Sequence, residues 1–309
     1  MPVIPNRPVE MGATGLPRMD DDVRPVTDES HQHVEHMGHL EHTESDAEAT
    51  EIWREILTGK VKGLTRTRKL IGWIPAGPRC KLCEAPMKPP GSVVLRPFGF
   101  GPSAYNRRLC RCCFKEINGR PGGAEIELSL LFADVRGSTG LAERMAAHEF
   151  SRLISRFYGA AGRVVENWNG LIDKFVGDEV VALFIPGFAG DDHASRAIGA
   201  ARELMRETGN GGGEPWVPIG AGVHTGVAFV GSIGEGEDWD FTAVGDAVNT
   251  TARLASSAGA GEILVSRAAA QAAGLNGGLE TRTLELRGRD ESVDAVVARV
   301  LIVSAESKA

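Results

Sequence analysis

Two carboxylates and one guanidinium stand out against the segments that carry them. Asp134 ends the apolar run "AEIELSLLFADV", and Asp178 sits at the Gly-Asp step of "DKFVGDEVVALF". Each is ordinary alone, because aspartate is common at strand ends and turns. Projected together from neighbouring central strands, the two would stand within a few ångströms, which is costly unless cations occupy the gap. Hard divalent ions such as Mg2+ or Mn2+ take oxygen ligands, and pairs of them drive in-line phosphoryl displacement. Directly after Asp134 comes "VRGSTG", in which Gly137 permits close backbone approach and Ser138 or Thr139 can cap a following helix. The free N–H groups of a helix start bind anions, so metal carboxylates beside this turn imply a nucleoside triphosphate. In "VGDAVNTTARL", Asn249 and Arg253 are four apart and hence on one helix face, fit to contact a sugar and a phosphate together.

A second chemistry is carried by sulfur. All five cysteines fall between Cys80 and Cys113, as Cys80-x-x-Cys83 and Cys110-x-x-Cys113 with 26 residues between the pairs and Cys112 left over. In a chain without a secretory leader such spacing reads as a four-thiolate metal site, structural zinc ahead of an iron–sulfur cluster or a redox switch. A segment this small has little core, so metal is expected to hold it folded. Upstream, "HQHVEHMGHLEH" collects His31, His33, His36, His39 and His42. It reads as part of a solvated tail, with transition-metal binding as the alternative.

The elements that must position these residues follow from periodicity. Residues 1–45 are rich in Pro, Met, acids and His without usable period and are expected to be disordered. A helix with Ile52, Ile56 and Leu57 on one stripe, and Ser45 and Glu48 as its cap, opens a 46–77 helix and basic connector; the four-cysteine module spans 78–119. From 124 to 304 short elements succeed one another. Ile126, Leu128, Leu130 and Phe132 alternate as in a strand, whereas Phe150, Leu153, Ile154, Phe157, Val164 and Val165 keep helical spacing. Two strands then join at Gly177-Asp178, followed by a long helix from Asp191, further strands, a short helix and a closing hairpin. Strands and long helices in this order predict an α+β, ferredoxin-like fold, a mostly antiparallel sheet with helices over one face.

The bulk numbers narrow the class. With 309 residues and 42% hydrophobic content the chain can bury a sizeable core, while its formal net charge of −7 argues against a broad nucleic-acid surface. No apolar run is long enough to span a bilayer and no signal peptide is visible, so a soluble, cytoplasmic protein is expected.

Taken jointly, "LLFADVRGSTGLAERM", "DKFVGDEVVALF" and "DFTAVGDAVNTTARL" resemble the catalytic domain of the class III adenylate and guanylate cyclases, over roughly residues 125–301. The resemblance implies that Asp134 and Asp178 bind two Mg2+ or Mn2+ ions, with the carbonyl of Val135 as a further ligand. It implies that Lys174 and Thr242 select adenine, that Asn249 orients the ribose and Arg253 stabilises the transition state, and that Arg287 falls near a triphosphate-binding lysine. It implies ATP as substrate and a head-to-tail homodimer, one subunit supplying the aspartates and the other Lys174, Thr242, Asn249 and Arg253. The "GEGEDWD" segment reads as the tip of an arm that embraces the partner. Rival readings are a guanylate cyclase and a catalytically silent cyclase-like nucleotide-sensing or interaction domain.

Overall fold

A computed structural model describes residues 47–60, 79–80, 83, 85–96, 101–102, 110–113, 122–212, 214–235, 238–275, 280–284 and 293–299. The chain divides into a unit Met1–Glu44 and a unit Ser45–Ala309, and every described residue belongs to the second. The expected histidine tail, the Ser45 cap, the basic connector over 61–78 and Arg287 lie outside the described residues.

Strand β1 (Gly122–Val135) leads through α3 (Ser138–Arg144) and α4 (Ala147–Asn167) to β2 (Leu171–Val176) and β3 (Glu179–Phe184). Then come α5 (Pro186–Ala189), α6 (His193–Glu207), β4 (Ile219–Glu235), β5 (Asp238–Val244), α7 (Asp246–Ser257), β6 (Ile263–Ser266), α8 (Arg267–Ala272), β7 (Glu280–Leu284) and β8 (Val293–Ala298). Before them lie α1 (47–57) and α2 (Gly91–Leu95). The sheet order is β2-β3-β1-β4-β6-β8-β7, with β5 paired to β4. Its first four strands and the helices α4 and α6 reproduce the βαββαβ ferredoxin-like arrangement, as the periodicity predicts. Pairing is antiparallel except between β4 and β6.

β1 is the axis. It pairs with β4 along its whole length and with β3 from Ser129 to Asp134. Because successive side chains leave opposite faces, Leu131, Ala133 and Val135 enter one core and Leu128, Leu130 and Phe132 enter another. The first core is closed by α4 through Ile154, Phe157, Val164 and Val165 and by α6 through Ala197, Ile198, Leu204 and Met205. The two helices approach closely where Trp168 meets Gly199, at which any Cβ would fall 2.4 Å from the indole.

The second face of the sheet is also covered. α7 rests on β4 at Gly222, where a Cβ would meet the Ala255 nitrogen at 2.4 Å, so glycine is what lets this helix seat on the strand. Beside α7, the α1 residues Trp53, Ile56 and Leu57 share a core with the four paired cysteines and with Leu128, Leu130, Phe132 and Val230 of the sheet. α1 reaches from α5, where its last carbonyls pack on Gly187, to β5, where Trp53 stacks on Phe241 at 6.1 Å between ring centroids. Trp53, 1% exposed, anchors this helix although the apolar stripe read from the sequence did not include it. Trp53→Ala is expected to lower unfolding free energy by about 3–5 kcal/mol in urea titrations. An unchanged midpoint would show that α1 does not belong to this core.

Candidate active site and cysteine centre

The end of β1 and the β2–β3 turn meet. Gly177 turns the hairpin in the left-handed region at φ 61°, and the Val135 N–H donates to the Asp178 carbonyl at 3.4 Å. Asp134 stands opposite Glu179 in the β1–β3 register, so three carboxylates gather at this corner. Arg136 answers them. Its guanidinium donates to Asp134 Oδ2 at 2.6 Å and to the carbonyls of Ala255 and Ser256 at 3.1 Å each, which ties the end of β1 to the end of α7. Burial pushes the Asp134 carboxyl up to about 6; Arg136 opposes the shift and Asp178 adds to it. Burial pushes Glu179 up to about 7, with Asp134 and Asp178 adding to it. Clustered, under-compensated oxygen donors of this kind suit hard divalent cations. The turn after Asp134 differs from its expected form. α3 begins at Ser138 itself, its cap position is Gly137 at φ 69°, and no side chain caps it, so Ser138 and Thr139 lie inside the first turn.

A second group forms elsewhere on the sheet. The β2–β3 register slips between Ile172 and Lys174, leaving Asp173 as a bulged residue. Its carboxylate accepts the Thr242 hydroxyl from β5 at 2.8 Å, and Lys174 Nζ lies 3.6 Å from the same Oδ2 atom. Lys174 and Thr242 therefore share one carboxylate, apart from the Asp134–Asp178 corner. Asn249 and Arg253 follow on α7, four residues apart as expected. Among the described residues their side chains take no hydrogen-bond partner, which leaves both available to a ligand. Asp173, Arg136 and Glu179 were not singled out by sequence. The available signal was an acid inside the strand "LIDKFV", but nothing in the pattern marks a bulge.

The cysteines converge. The Sγ atoms of Cys80, Cys83, Cys110 and Cys113 all lie within 4.8 Å of one another and all four residues are buried, whereas Cys112 is exposed. Cys83 and Cys110 sulfurs are 3.6 Å apart, and the backbone N–H groups of Cys110 and Cys113 donate to Cys80 and Cys110 sulfurs at 3.2 and 3.4 Å. A tetrahedral zinc with bonds of about 2.3 Å sets sulfur–sulfur edges of about 3.8 Å, so the group fits one ion.

Free carboxyls titrate near 4, so Asp134 and Glu179 hold more protons in the folded chain than in the unfolded one between there and the shifted values of about 6 and about 7. Without added divalent ion, the melting temperature is therefore expected to fall as pH rises from about 5 to about 8, and excess Mn2+ should flatten that fall. A melting temperature that rises over this range, or an identical slope with Mn2+, would contradict the crowding of Asp134 and Glu179.

The family model described as the adenylate and guanylate cyclase catalytic domain matches residues 124–293, more than half of the chain. An adenylate cyclase of Anabaena cylindrica is 32% identical over 133 residues, covering 41% of this chain and 26% of its own. Adenylate cyclase 1 of Rhizobium meliloti is 31% identical over 134 residues, covering 41% of this chain and 20% of its own. The chain thus spans about a quarter of the length of the curated relatives it matches. Among solved structures, the guanylyl cyclase Cya2 aligns with a TM-score of 0.52 at 30% identity, over 61% of this chain and all of that one. The adenylyl cyclase CyaB of P. aeruginosa aligns with a TM-score of 0.50 at 27% identity, over 56% of this chain and 94% of that one. Matching the family model over this span, and carrying the same mixed sheet and helices, the chain belongs to the adenylate and guanylate cyclase catalytic-domain family.

Proposed function

We propose that this chain is an adenylate cyclase, converting ATP to 3′,5′-cyclic AMP and pyrophosphate at sites shared between two copies in a head-to-tail homodimer. The observation that carries this reading is the separation of the site residues into two groups, Asp134 with Asp178 at one corner and Lys174 with Thr242 on Asp173. One nucleotide can engage both groups when each comes from a different copy. Exposed apolar side chains on the two hairpins, Phe175 and Val176 on β2 with Ile233 on β4 and Val244 on β5, support burial against a second chain.

In this reading the Lys174 ammonium donates to adenine N1 and the Thr242 hydroxyl accepts from the N6 amine. The similarity to a guanylyl cyclase favours guanine as the second reading, but guanine carries a donor at N1, where Lys174 also offers one. Asp134, Asp178 and the Val135 carbonyl would hold two Mg2+ or Mn2+ ions, which when bound neutralise phosphate charge and acidify the ribose 3′-hydroxyl. In the same reading Asn249 would orient the ribose, and Arg253 would stabilise the charge that develops on the α-phosphate and the leaving group. The backbone turn from Gly137 through Ser138 to Thr139 would offer its N–H groups to the phosphates. The bond from O3′ to the α-phosphorus forms, the bond to the pyrophosphate oxygen breaks, and the hydroxyl proton is released. Fixed groups of this kind contribute ~3–4 kcal/mol apiece to the transition state. The cysteine group serves as a structural zinc site beneath the sheet.

Asp134→Ala and Arg253→Ala are each expected to abolish cAMP formation from ATP and Mn2+, by 10²-fold or more on the order of one lost preorganised group. Mixed, they should recover about a quarter of the wild-type rate, because half of random dimers are mixed and each carries one intact site. Wild-type rates from Asp134→Ala alone would remove the enzyme reading, and no recovery on mixing would remove the shared site. Native mass spectrometry should find one zinc per chain, lost in the Cys83→Ser/Cys110→Ser double variant. Disulfides in place of metal would contradict the zinc assignment.

A further inference from the structure

Asp173 is an unusual residue to bury. Its side chain retains only 3% of its surface, and it sits at the bulge that turns β2 out of register with β3. Oδ2 carries both of its contacts, the Thr242 hydroxyl and the Lys174 ammonium. Oδ1 is buried with no hydrogen-bond partner among the described residues. A buried carboxylate with half of its acceptor capacity unfilled is a costly way to hold two strands together, since an amide or an apolar pair would fill the same space more cheaply. Such a group is retained where its charge acts on its neighbours.

What the charge does follows from donor and acceptor counting. A threonine hydroxyl has one proton to give and lone pairs that accept, so left alone it can face a purine amine or a purine carbonyl equally well. Thr242 is not left alone. Its single proton is committed to Asp173, and with 6% of its surface exposed the residue has little freedom to turn it elsewhere. What Thr242 can then show to a ligand is an acceptor only. On the same carboxylate, Lys174 is drawn toward Thr242 and keeps donors for a ring nitrogen that accepts. An acceptor beside a donor is the complement of the adenine edge, where N6 donates and N1 accepts; guanine presents the inverse pair, O6 accepting and N1–H donating.

We propose that Asp173 is the positioning residue that sets purine specificity, by taking the proton of Thr242 and thereby fixing that hydroxyl as an acceptor. The inference rests on the assignment of Lys174 and Thr242 to the purine. Asparagine at 173 keeps the shape but reverses the logic, because its amide NH2 can donate to Thr242 Oγ1 and release the hydroxyl proton toward a guanine O6.

Equilibrium competition binding of non-hydrolysable ATP and GTP analogues with Mn2+, on the whole 309-residue chain, reads this directly and does not depend on turnover. Asp173→Asn is expected to shift the GTP-to-ATP affinity ratio toward GTP by at least tenfold. Thr242→Ser should keep the wild-type ratio and Thr242→Val should lose it, and in the Thr242→Val background Asp173→Asn should shift the ratio no further. A structural role alone would lower stability and both affinities together, leaving the ratio where it was. The proposal is overturned by an unchanged ratio in folded Asp173→Asn, by equal shifts with and without Thr242, or by an intact ATP preference in Thr242→Val. Turnover by the wild type is scored separately. Preserved ratios with no cyclic nucleotide would sink the cyclase reading and leave this one standing.

Discussion

The structure depends on a strand that must be covered on both faces. β1 sends Leu131, Ala133 and Val135 to one side and Leu128, Leu130 and Phe132 to the other, and every one of these is nearly or wholly buried. Two separate layers of chain are therefore required, α4 and α6 above and α7 with α1 and the cysteine segment below. The cover gives out at the C-terminal end of β1, where Asp134 is followed by Arg136 and the left-handed Gly137. That is where a carboxylate can meet ligand while its backbone is held by pairing on both sides, to Glu179 in β3 and Gly220 in β4. Rigidity of the strand and openness of its end have one cause.

Charge is distributed accordingly. The acids at the β1 corner crowd one another, and the nearest compensation is Arg136, which also holds the end of α7. Asp173 is compensated differently, by Thr242 and Lys174 on the other side of the hairpin. The same hairpin that brings Asp178 to one group thus carries Lys174 to the other, and the proposed site draws on a second copy of the chain for that reason. The cysteine group sits in the lower core with Trp53 and Ala247, so a metal there would brace the layer from which α7 rises. Among the described residues, no helix is long and apolar enough to cross a membrane.

Much of this was legible in the residues. The period of Ile154, Phe157 and Val164 announced α4, and the alternation from Ile126 to Phe132 announced β1. The Gly177-Asp178 step marked a hairpin because only a short turn fits between two such runs. The convergence of the cysteines was legible because two CxxC pairs have few other uses. What escaped has physical reasons. β6 is four residues long, too short to show a period, and it pairs in parallel with strand residues 42 positions earlier, Ala221 with Ile263. Ser138 reads as a cap from its type, yet the chain enters the helix one residue sooner through a glycine that needs no side chain. Trp53 interrupts a stripe drawn from aliphatic residues alone. Asp173 and Arg136 looked like solvated neighbours of more familiar residues, and their partners, Thr242 and Ala255, lie 69 and 119 positions away.

The substrate is where the comparisons divide, since an adenylyl and a guanylyl cyclase align similarly well, and the preference for adenine rests on the proposed pairing of Lys174 and Thr242 with the purine. The most direct measurement is product analysis by chromatography after incubating the purified 309-residue chain with equimolar ATP and GTP in the presence of Mn2+. Cyclic AMP as the main product is expected from a site in which Lys174 donates and Thr242 accepts; cyclic GMP as the main product, from the same preparation, would contradict it.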